Sequence, residues 1–254
     1  MDSNGFVNLE MNNNIATITF HHPKSNSLPS ALLEQIESKF ELLRLNEEIK
    51  VIILQSEGKT FCAGASFDEL ISLENFEDAR EFFSGFARVI NSMRKSSQII
   101  IAKIHGKTIG GGVGIAAAAD YAIASRNASV RLSELSIGIA PFVIGPAVER
   151  KIGKSAFSEM SIDAEWKSSE WAYEKGLYNK VTEDKSALDA AVNELAEKLS
   201  SYSKYAIAEL KSVLWENTEN WDLLLSERAE KSGKLALTDF TREILKKFKE
   251  AGKK

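Results

Sequence analysis

The chain has 254 residues, of which 44% are hydrophobic and 27% are charged, as is typical of a globular protein with a sizeable core. A formal net charge of −4 without a basic block argues against nucleic acid as the main partner. The single cysteine excludes an intramolecular disulfide framework and a cysteine-based structural zinc site. Signal-peptide features and a membrane-spanning stretch are absent from the sequence, so we expect a cytoplasmic protein with no membrane partner.

The N-terminal region is predicted to contain two paired strands and a helix. The β-branched runs at residues 6–9 and 15–20 flank an asparagine triplet that favours a turn. Residues 32–43 then place apolar side chains on one face of a helix. Ser27 and Pro29 mark its start, since proline is tolerated in the first turn.

The middle of the chain alternates predicted strands with helical segments. The continuous apolar runs at residues 51–54 and 99–102 fit strands that are buried on both faces, although runs this short also fit buried helix. Weaker strands are predicted at residues 121–124 and 130–132, and the Phe-rich residues 67–94 are predicted to be helical. This alternation indicates the α/β class.

The C-terminal quarter is predicted to be entirely helical. Apolar residues from Leu188 to Leu199 follow helical spacing, with Ser186 and Asp189 as a predicted capping pair. A later helix repeats an aromatic or aliphatic residue every four positions from Phe240. We therefore divide the chain into a core at residues 1–185 and a C-terminal helical oligomerisation region at residues 186–254.

Two segments of small residues are candidates for ligand binding. The first covers residues 61–67 and follows a predicted buried strand, and the second is the glycine triplet at residues 110–112, before an alanine-rich predicted helix. Glycines at a helix start let a ligand reach free backbone N–H groups at the positive end of the dipole. Turns and tight packing also account for glycine triplets, and the spacings of a dinucleotide fingerprint and a P-loop are absent.

Glu134 is an isolated carboxylate in a mostly apolar segment that continues to Ile144. Apolar surroundings raise the pKa of a carboxyl group, which would let Glu134 carry a proton near neutral pH. A salt-bridged or helix-capping glutamate is the alternative interpretation, and the sequence leaves both open.

The order and spacing of these features resemble the enoyl-CoA hydratase/isomerase (crotonase) superfamily. The matching blocks are the Ala-Gly-Ala run ending at Ala65, the His-Gly-x-x-x-Gly-Gly-Gly block from His105, and Glu134. Residues 23–28 and 172–177 add further similarity. The resemblance implies a crotonase-type spiral of ββα units with a C-terminal helical region, assembled as a homotrimer or a dimer of trimers.

The resemblance also implies roles for individual residues. The backbone N–H groups of Ala65 and Gly111 would form an oxyanion hole for the thioester carbonyl of an acyl-CoA substrate, beside Glu134 as the catalytic acid/base. Withdrawing a proton next to that carbonyl places charge on its oxygen, and each fixed donor is typically worth about 3 kcal/mol. The implied substrate-binding residues are Lys24, Ser25, Ala63, Gly64, Ser66, Phe67, Gly110, Ser133, Pro141 and Phe142.

Two departures from the family pattern bear on the reaction. Family hydratases carry a second glutamate, and Gly114 stands at its position. Phe142 replaces a glycine that helps to hold the hydratase water, and residues 137–142 resemble the mitochondrial isomerases. One base can move a double bond from the 3,4 to the 2,3 position, because it removes a proton at C2 and returns it at C4. We therefore favour isomerisation with Glu134 as the single acid/base.

Two other functions remain open. Hydration of 2-enoyl-CoA, or of a branched substrate such as methylglutaconyl-CoA, would need Asp68, Glu69 or another group to replace the missing carboxylate. A non-catalytic acyl-CoA-binding protein is the third interpretation, against which the retained Glu134 argues.

The remaining features predict no cofactor site. Cys62 has no evident histidine partner and is interpreted as a packed thiol. His21, His22 and His105 lack metal-ligand spacing, so no metal is expected. Flavin and nicotinamide are not expected either, since the CoA thioester is the substrate. The five lysines within residues 246–254 form either a solvated tail or a contact with a CoA phosphate.

Overall fold

The computed structural model describes residues 4–251, which form ten strands and ten α-helices. The strands are β1 (Phe6–Asn12), β2 (Ile15–His21), β3 (Val51–Ser56), β4 (Thr60–Cys62), β5 (Ile99–Ile104), β6 (Lys107–Ile109), β7 (Tyr121–Ser125), β8 (Ser129–Arg131), β9 (Lys167–Ser168) and β10 (Lys180–Thr182). The helices are α1 (Ser30–Arg44), α2 (Phe67–Ser72), α3 (Phe76–Lys95), α4 (Gly111–Ala118), α5 (Gly145–Asp163), α6 (Ser169–Glu174), α7 (Lys185–Ser200), α8 (Lys204–Leu214), α9 (Trp221–Ala236) and α10 (Asp239–Ala251).

The strands form two sheets that are linked by a repeated unit. The larger sheet has the order β1-β2-β3-β5-β7-β10 and is parallel apart from the β1–β2 hairpin, and the smaller has the order β4-β6-β8-β9. In each of the pairs β3–β4, β5–β6 and β7–β8, the first strand joins the larger sheet and the second joins the smaller. Helices α2 and α3 follow the first pair, α4 follows the second, and α5 follows the third. The predicted α/β class and the spiral of ββα units are confirmed.

The central strands carry unbroken apolar runs because both faces of the larger sheet are covered. Val51 and Ile53 of β3 pack in a cluster with α7, whereas Ile52 and Leu54 belong to the main core on the opposite face. Successive side chains of a strand point to opposite faces, so a strand buried on both sides needs an unbroken apolar run. The predicted strands at residues 51–54 and 99–102 are therefore confirmed.

The predicted helical segment at residues 67–94 is confirmed and forms two helices, since Asn75 caps a new helix by accepting a 2.9 Å hydrogen bond from the Asp78 N–H. The predicted capping pair of the later helix is wrong. The start of α7 is capped by Asp184, which accepts a 2.8 Å hydrogen bond from the Ala187 N–H, and not by Ser186 and Asp189. The predicted capping pair failed because a better acceptor lies two residues earlier in the chain.

The C-terminal helices enclose the core from two sides. Helix α7 covers one face of the larger sheet, and α9 packs along α3. No strand follows Thr182 within the described residues, in agreement with the predicted helical region. In α10 the side chains of Thr241 and Leu245 are buried, whereas Phe240 is 63% exposed. The division of the chain at residue 185 stays a prediction.

Within residues 4–251, none of the helices combines the length and the apolarity that a membrane span requires.

Candidate active site

A small, mostly apolar cavity of about 140 Å³ lies where α3 and α9 meet the start of α4. The loop after β4, the strand end before α4 and the segment around Glu134 form its other walls. Its aromatic lining comes from five phenylalanines, namely Phe67, Phe82, Phe83, Phe86 and Phe142. Glu134 is the one ionisable side chain among the described residues that line it.

Ala65 and Gly111 border this cavity, and their backbone N–H groups have no acceptor among the described residues. Gly111 is the first residue of α4, where N–H groups lack an intrahelical acceptor. Around Ala65, the Leu28 N–H donates to the Gly64 carbonyl at 2.7 Å and the Ser66 N–H donates to the Leu28 carbonyl at 3.0 Å. This parallel bridge uses the groups on either side of the Ala65 N–H, which is left to face away from Leu28.

Gly64 and Gly110 allow the two donor segments to come together. Both have backbone angles that L side chains rarely adopt, with φ of +87° at Gly64 and +51° at Gly110. A Cβ at Gly64 would lie 3.1 Å from the Ile109 carbonyl oxygen and 3.5 Å from the Gly111 nitrogen. The close approach of these backbones brings two unpaired donors to one wall of the cavity.

Glu134 begins a 3-10 turn, Glu134–Ile137, and its carboxylate lies against Gly110. A Cβ at Gly110 would be 3.0 Å from Glu134 Oε1, and Oε2 is buried with no hydrogen-bond partner among the described residues. Burial raises the pKa of this carboxyl group to about 7. The backbone N–H groups of Glu134 and Ser133 lower the pKa, but their effect is smaller. No Lys, Arg or His is found among the described residues that line the cavity, so a salt-bridged Glu134 would have no partner there.

We expect Glu134→Gln to raise the melting temperature at pH 8 and to change it little at pH 4. The folded pKa of about 7 lies above the value near 4.3 of an unfolded chain, so the acid is protonated in both states at low pH. Between these two pKa values the unfolded chain ionises while the folded acid stays protonated, which lowers the stability by an amount that reaches on the order of 4 kcal/mol above pH 7. Thermal unfolding at pH 4, 6 and 8 measures this, and a difference independent of pH would contradict it.

Gly114 has no room for a side chain, because Ile144 fills the space beside it. A Cβ at Gly114 would lie 2.4 Å from Ile144 Cγ2 and 2.5 Å from Ile144 Cβ. Ile144 is buried and lines the cavity next to Phe142. An aliphatic side chain thus occupies the volume that a carboxylate at position 114 would need.

The other two candidate carboxylates do not line the cavity. Asp68 is 62% exposed and pairs with Lys24, which holds the pKa of the Asp68 carboxyl below its usual range. Glu69 Oε2 accepts hydrogen bonds of 2.9 Å from both the N–H and the hydroxyl of Ser30, at the start of α1. Both carboxylates therefore serve local structure.

The structure brings most of the predicted site residues together and leaves three outside the cavity. The residues that line it are Ala63, Gly64, Ala65, Phe67, Gly110, Gly111, Ser133, Glu134, Pro141 and Phe142. Ser66 instead caps α2 by accepting a hydrogen bond from the Glu69 N–H. Lys24 and Ser25 lie on the loop after β2, which is held beside the cavity wall by a 3.3 Å hydrogen bond from the Ala63 N–H to the Asn26 carbonyl. The roles of these residues stay predictions.

Cys62 is a fully buried thiol that packs against Gly112. Burial raises the pKa of the thiol to about 12, so a reactive thiolate is disfavoured near neutral pH. Within residues 4–251, no cluster of three or more His, Cys, Asp or Glu side chains is suited to a metal ion.

Other residues that line the cavity were not among the predicted site residues, and they include Phe82, Phe83, Phe86, Ile144 and Ser232. The phenylalanines recur at helical spacing in α3, which suggests a buried face but not a cavity wall. Ile144 and Ser232 are common residue types in ordinary helical contexts, and only the packing of distant segments brings them to the site.

Comparisons with known proteins agree with this architecture. The sequence model of the family described as "Enoyl-CoA hydratase/isomerase" matches residues 10–253. A relative named "Probable enoyl-CoA hydratase" from Bacillus subtilis is 28% identical over 249 residues, covering 97% of this chain and 96% of the relative. The crystal structure of an enoyl-CoA hydratase from Mycobacterium avium has a TM-score of 0.85 at 28% identity, with 99% of this chain and 98% of that chain covered. An enoyl-CoA hydratase from Bacillus halodurans shares the fold with a TM-score of 0.88 at 24% identity, covering 95% of this chain and 99% of that chain.

Proposed function

The chain belongs to the enoyl-CoA hydratase/isomerase family, and from this we propose that it isomerises the double bond of an enoyl-CoA thioester, with Glu134 as the single acid/base. The observation that carries the proposal is the lone buried carboxylate in a cavity that also holds two unpaired N–H donors. A pKa of about 7 suits a group that must both accept and return a proton near neutral pH.

The proposed reaction is a proton transfer within one bound substrate. The thioester oxygen accepts hydrogen bonds from the Ala65 and Gly111 N–H groups, which stabilise charge on that oxygen as it forms. Glu134 removes a proton from C2 of a 3-enoyl-CoA and leaves a conjugated enolate. The same carboxyl group returns the proton at C4, which gives the 2-enoyl product and restores the ionised base.

The space around Gly114 supports isomerisation over hydration. Hydration needs a positioned water together with proton delivery to C2, tasks that family hydratases share between two glutamates. Ile144 fills the volume beside Gly114, and Phe142 adds an aromatic ring to the same wall. These side chains leave Glu134 without a second carboxylate to hold a water molecule.

Hydration is the second candidate function, because the relatives found by comparison carry hydratase names. Among its substrates, methylglutaconyl-CoA suits the cavity poorly. Its free carboxylate would be buried without a cation, since no Lys, Arg or His is found among the described lining residues. An uncharged enoyl chain avoids this desolvation cost.

We expect 3-enoyl-CoA incubated with the protein in D₂O to give 2-enoyl-CoA, with 3-hydroxyacyl-CoA forming slowly or not at all. The reason is that proton transfer needs one base, whereas addition of water needs a second group. Mass spectrometry and the absorbance of the conjugated product measure both outcomes. Rapid hydration of 2-enoyl-CoA would overturn the isomerase proposal, and saturable binding without turnover of either substrate would favour the non-catalytic interpretation.

The nucleotide end of CoA is proposed to lie along a basic cleft next to the acyl cavity. This cleft of about 550 Å³ is lined by three cations of α10, Arg242, Lys246 and Lys249, against the two carboxylates Glu74 and Glu250, and Leu70 lines both spaces. Lys24 lies near this cleft, because the positive charges of Lys24 and Lys249 both lower the pKa of the Asp68 carboxyl group. The proposed chemistry involves only groups of the protein and the thioester, without a metal, flavin or nicotinamide.

A homotrimer or a dimer of trimers is proposed from the family resemblance. Exposed apolar side chains on the C-terminal helices support an assembly, because such surface is costly in water. They include Tyr205, Leu210, Val213, Leu214 and Leu223. Mass measurement in solution tests the proposal, and a stable monomer of 28.1 kDa would contradict it.

A further inference from the structure

Ser232 of α9 is a buried serine whose hydroxyl has no hydrogen-bond partner among the described residues. The residue is 1% exposed and lines the acyl cavity. Other helical serines of this chain donate to the carbonyl one turn earlier, as Ser38, Ser84 and Ser161 do at distances of 2.8, 2.8 and 2.7 Å. No such bond is present at Ser232, so its hydroxyl is left available to a molecule in the cavity.

The packing of α9 on α3 places Ser232 away from the oxyanion-hole candidates. A Cβ at Gly233 would lie 3.4 Å from Ala79 Cβ, which puts this part of α9 beside the first turn of α3. Phe86, two turns later in α3, lies over Gly111. Ser232 and Gly111 therefore border the cavity beside different turns of α3.

The surroundings of Ser232 define the chemistry of its partner. An unpaired buried hydroxyl costs about 1–3 kcal/mol, and the neighbouring cavity walls are phenylalanine and aliphatic side chains that offer it no partner. No cation lines the cavity within the described residues, so a charged group on the ligand would remain unpaired. A neutral oxygen on the ligand would pair with the Ser232 hydroxyl and would bring no unpaired charge into the cavity.

We propose that Ser232 is a specificity-determining residue that hydrogen-bonds a hydroxyl or keto oxygen on the acyl chain of the substrate. The substrate class is then an acyl-CoA whose acyl chain carries a hydroxyl or keto oxygen. This inference rests on the proposed function for the CoA thioester itself, but it is independent of which reaction Glu134 performs.

Binding of unreactive ligands tests the proposal without requiring turnover. The ligands are saturated acyl-CoA thioesters in which one hydroxyl is moved carbon by carbon towards the chain end. Each is paired with a chain carrying a methyl group at the same carbon. The wild type is expected to bind one hydroxylated chain about 10-fold more tightly than its methyl partner, which corresponds to about 1.4 kcal/mol.

Ser232→Ala is expected to abolish this preference without lowering the melting temperature, because the hydroxyl stabilises nothing in the free protein. Ser226→Ala is the matched control, since Ser226 lies exposed on the same helix, and it should keep the preference. A wild type that favours every methyl chain, or a preference that survives Ser232→Ala, overturns the proposal. If no acyl-CoA binds at all, the proposed function fails instead.

Discussion

Glu134→Gln is expected to lower turnover by about 10²–10⁴-fold, the usual contribution of general acid–base catalysis. The amide is nearly isosteric with the acid but cannot accept the C2 proton. Because the oxyanion-hole candidates and the cavity walls are unchanged, acyl-CoA affinity should stay close to that of the wild type. Steady-state kinetics with 3-enoyl-CoA and equilibrium binding of a saturated acyl-CoA separate the two effects.

Glu69→Gln makes the same chemical change at a carboxylate outside the cavity. Its Oε2 accepts two hydrogen bonds from Ser30, and a glutamine side-chain oxygen can still accept. This variant should therefore retain most of the wild-type turnover. Equal losses in the two variants, or full activity in Glu134→Gln, would remove Glu134 from the mechanism.

Gly111→Ala is expected to lower kcat by about 10²–10³-fold, the loss seen when one oxyanion donor is removed. The new Cβ would lie 2.2 Å from a carbon of the Phe86 ring, far inside van der Waals contact. Either the ring or the start of α4 must move, and movement of α4 takes the Gly111 N–H out of position. Single-turnover kinetics measure the chemical step directly.

Gly85→Ala is the matched control for this substitution. It adds the same methyl group to a buried glycine, where the new Cβ would lie 2.9 Å from Leu33 Cδ1. Position 85 does not line the cavity, so the variant should keep its kcat. If Gly111→Ala lowered the stability but left kcat unchanged, the Gly111 N–H would have no part in the reaction.

The parts of the fold that depend on local pattern were predictable from the sequence. The apolar runs of β3 and β5 indicate strands covered on both faces, and the hairpin of β1 and β2 follows from its asparagine turn. The break between α2 and α3 was missed because Asn75 is polar and fits either a helix surface or a cap. Its capping role depends on the backbone turning at that point.

The candidate site was predictable from the sequence only at positions where the backbone angle or the local chemistry requires a particular residue type. Gly110 must be glycine for its positive φ, and an isolated glutamate in an apolar segment points to a perturbed carboxyl group. Ile144 and Ser232 carry no such constraint. Their importance comes from the packing of Ile144 against Gly114 and of α9 on α3, both of which are long-range properties.

The close contact between Gly114 and Ile144 also limits how this chain can evolve. A glutamate at position 114 would collide with Ile144, whose Cβ lies 2.5 Å from where the new Cβ would stand. Loss of the Ile144 side chain alone would leave an unfilled cavity in the core, and large-to-small changes of this kind cost about 2–5 kcal/mol. Either single step is therefore harmful, and only both together would give a second carboxylate. Acquiring a second glutamate at position 114 by single substitutions would therefore pass through a destabilised intermediate.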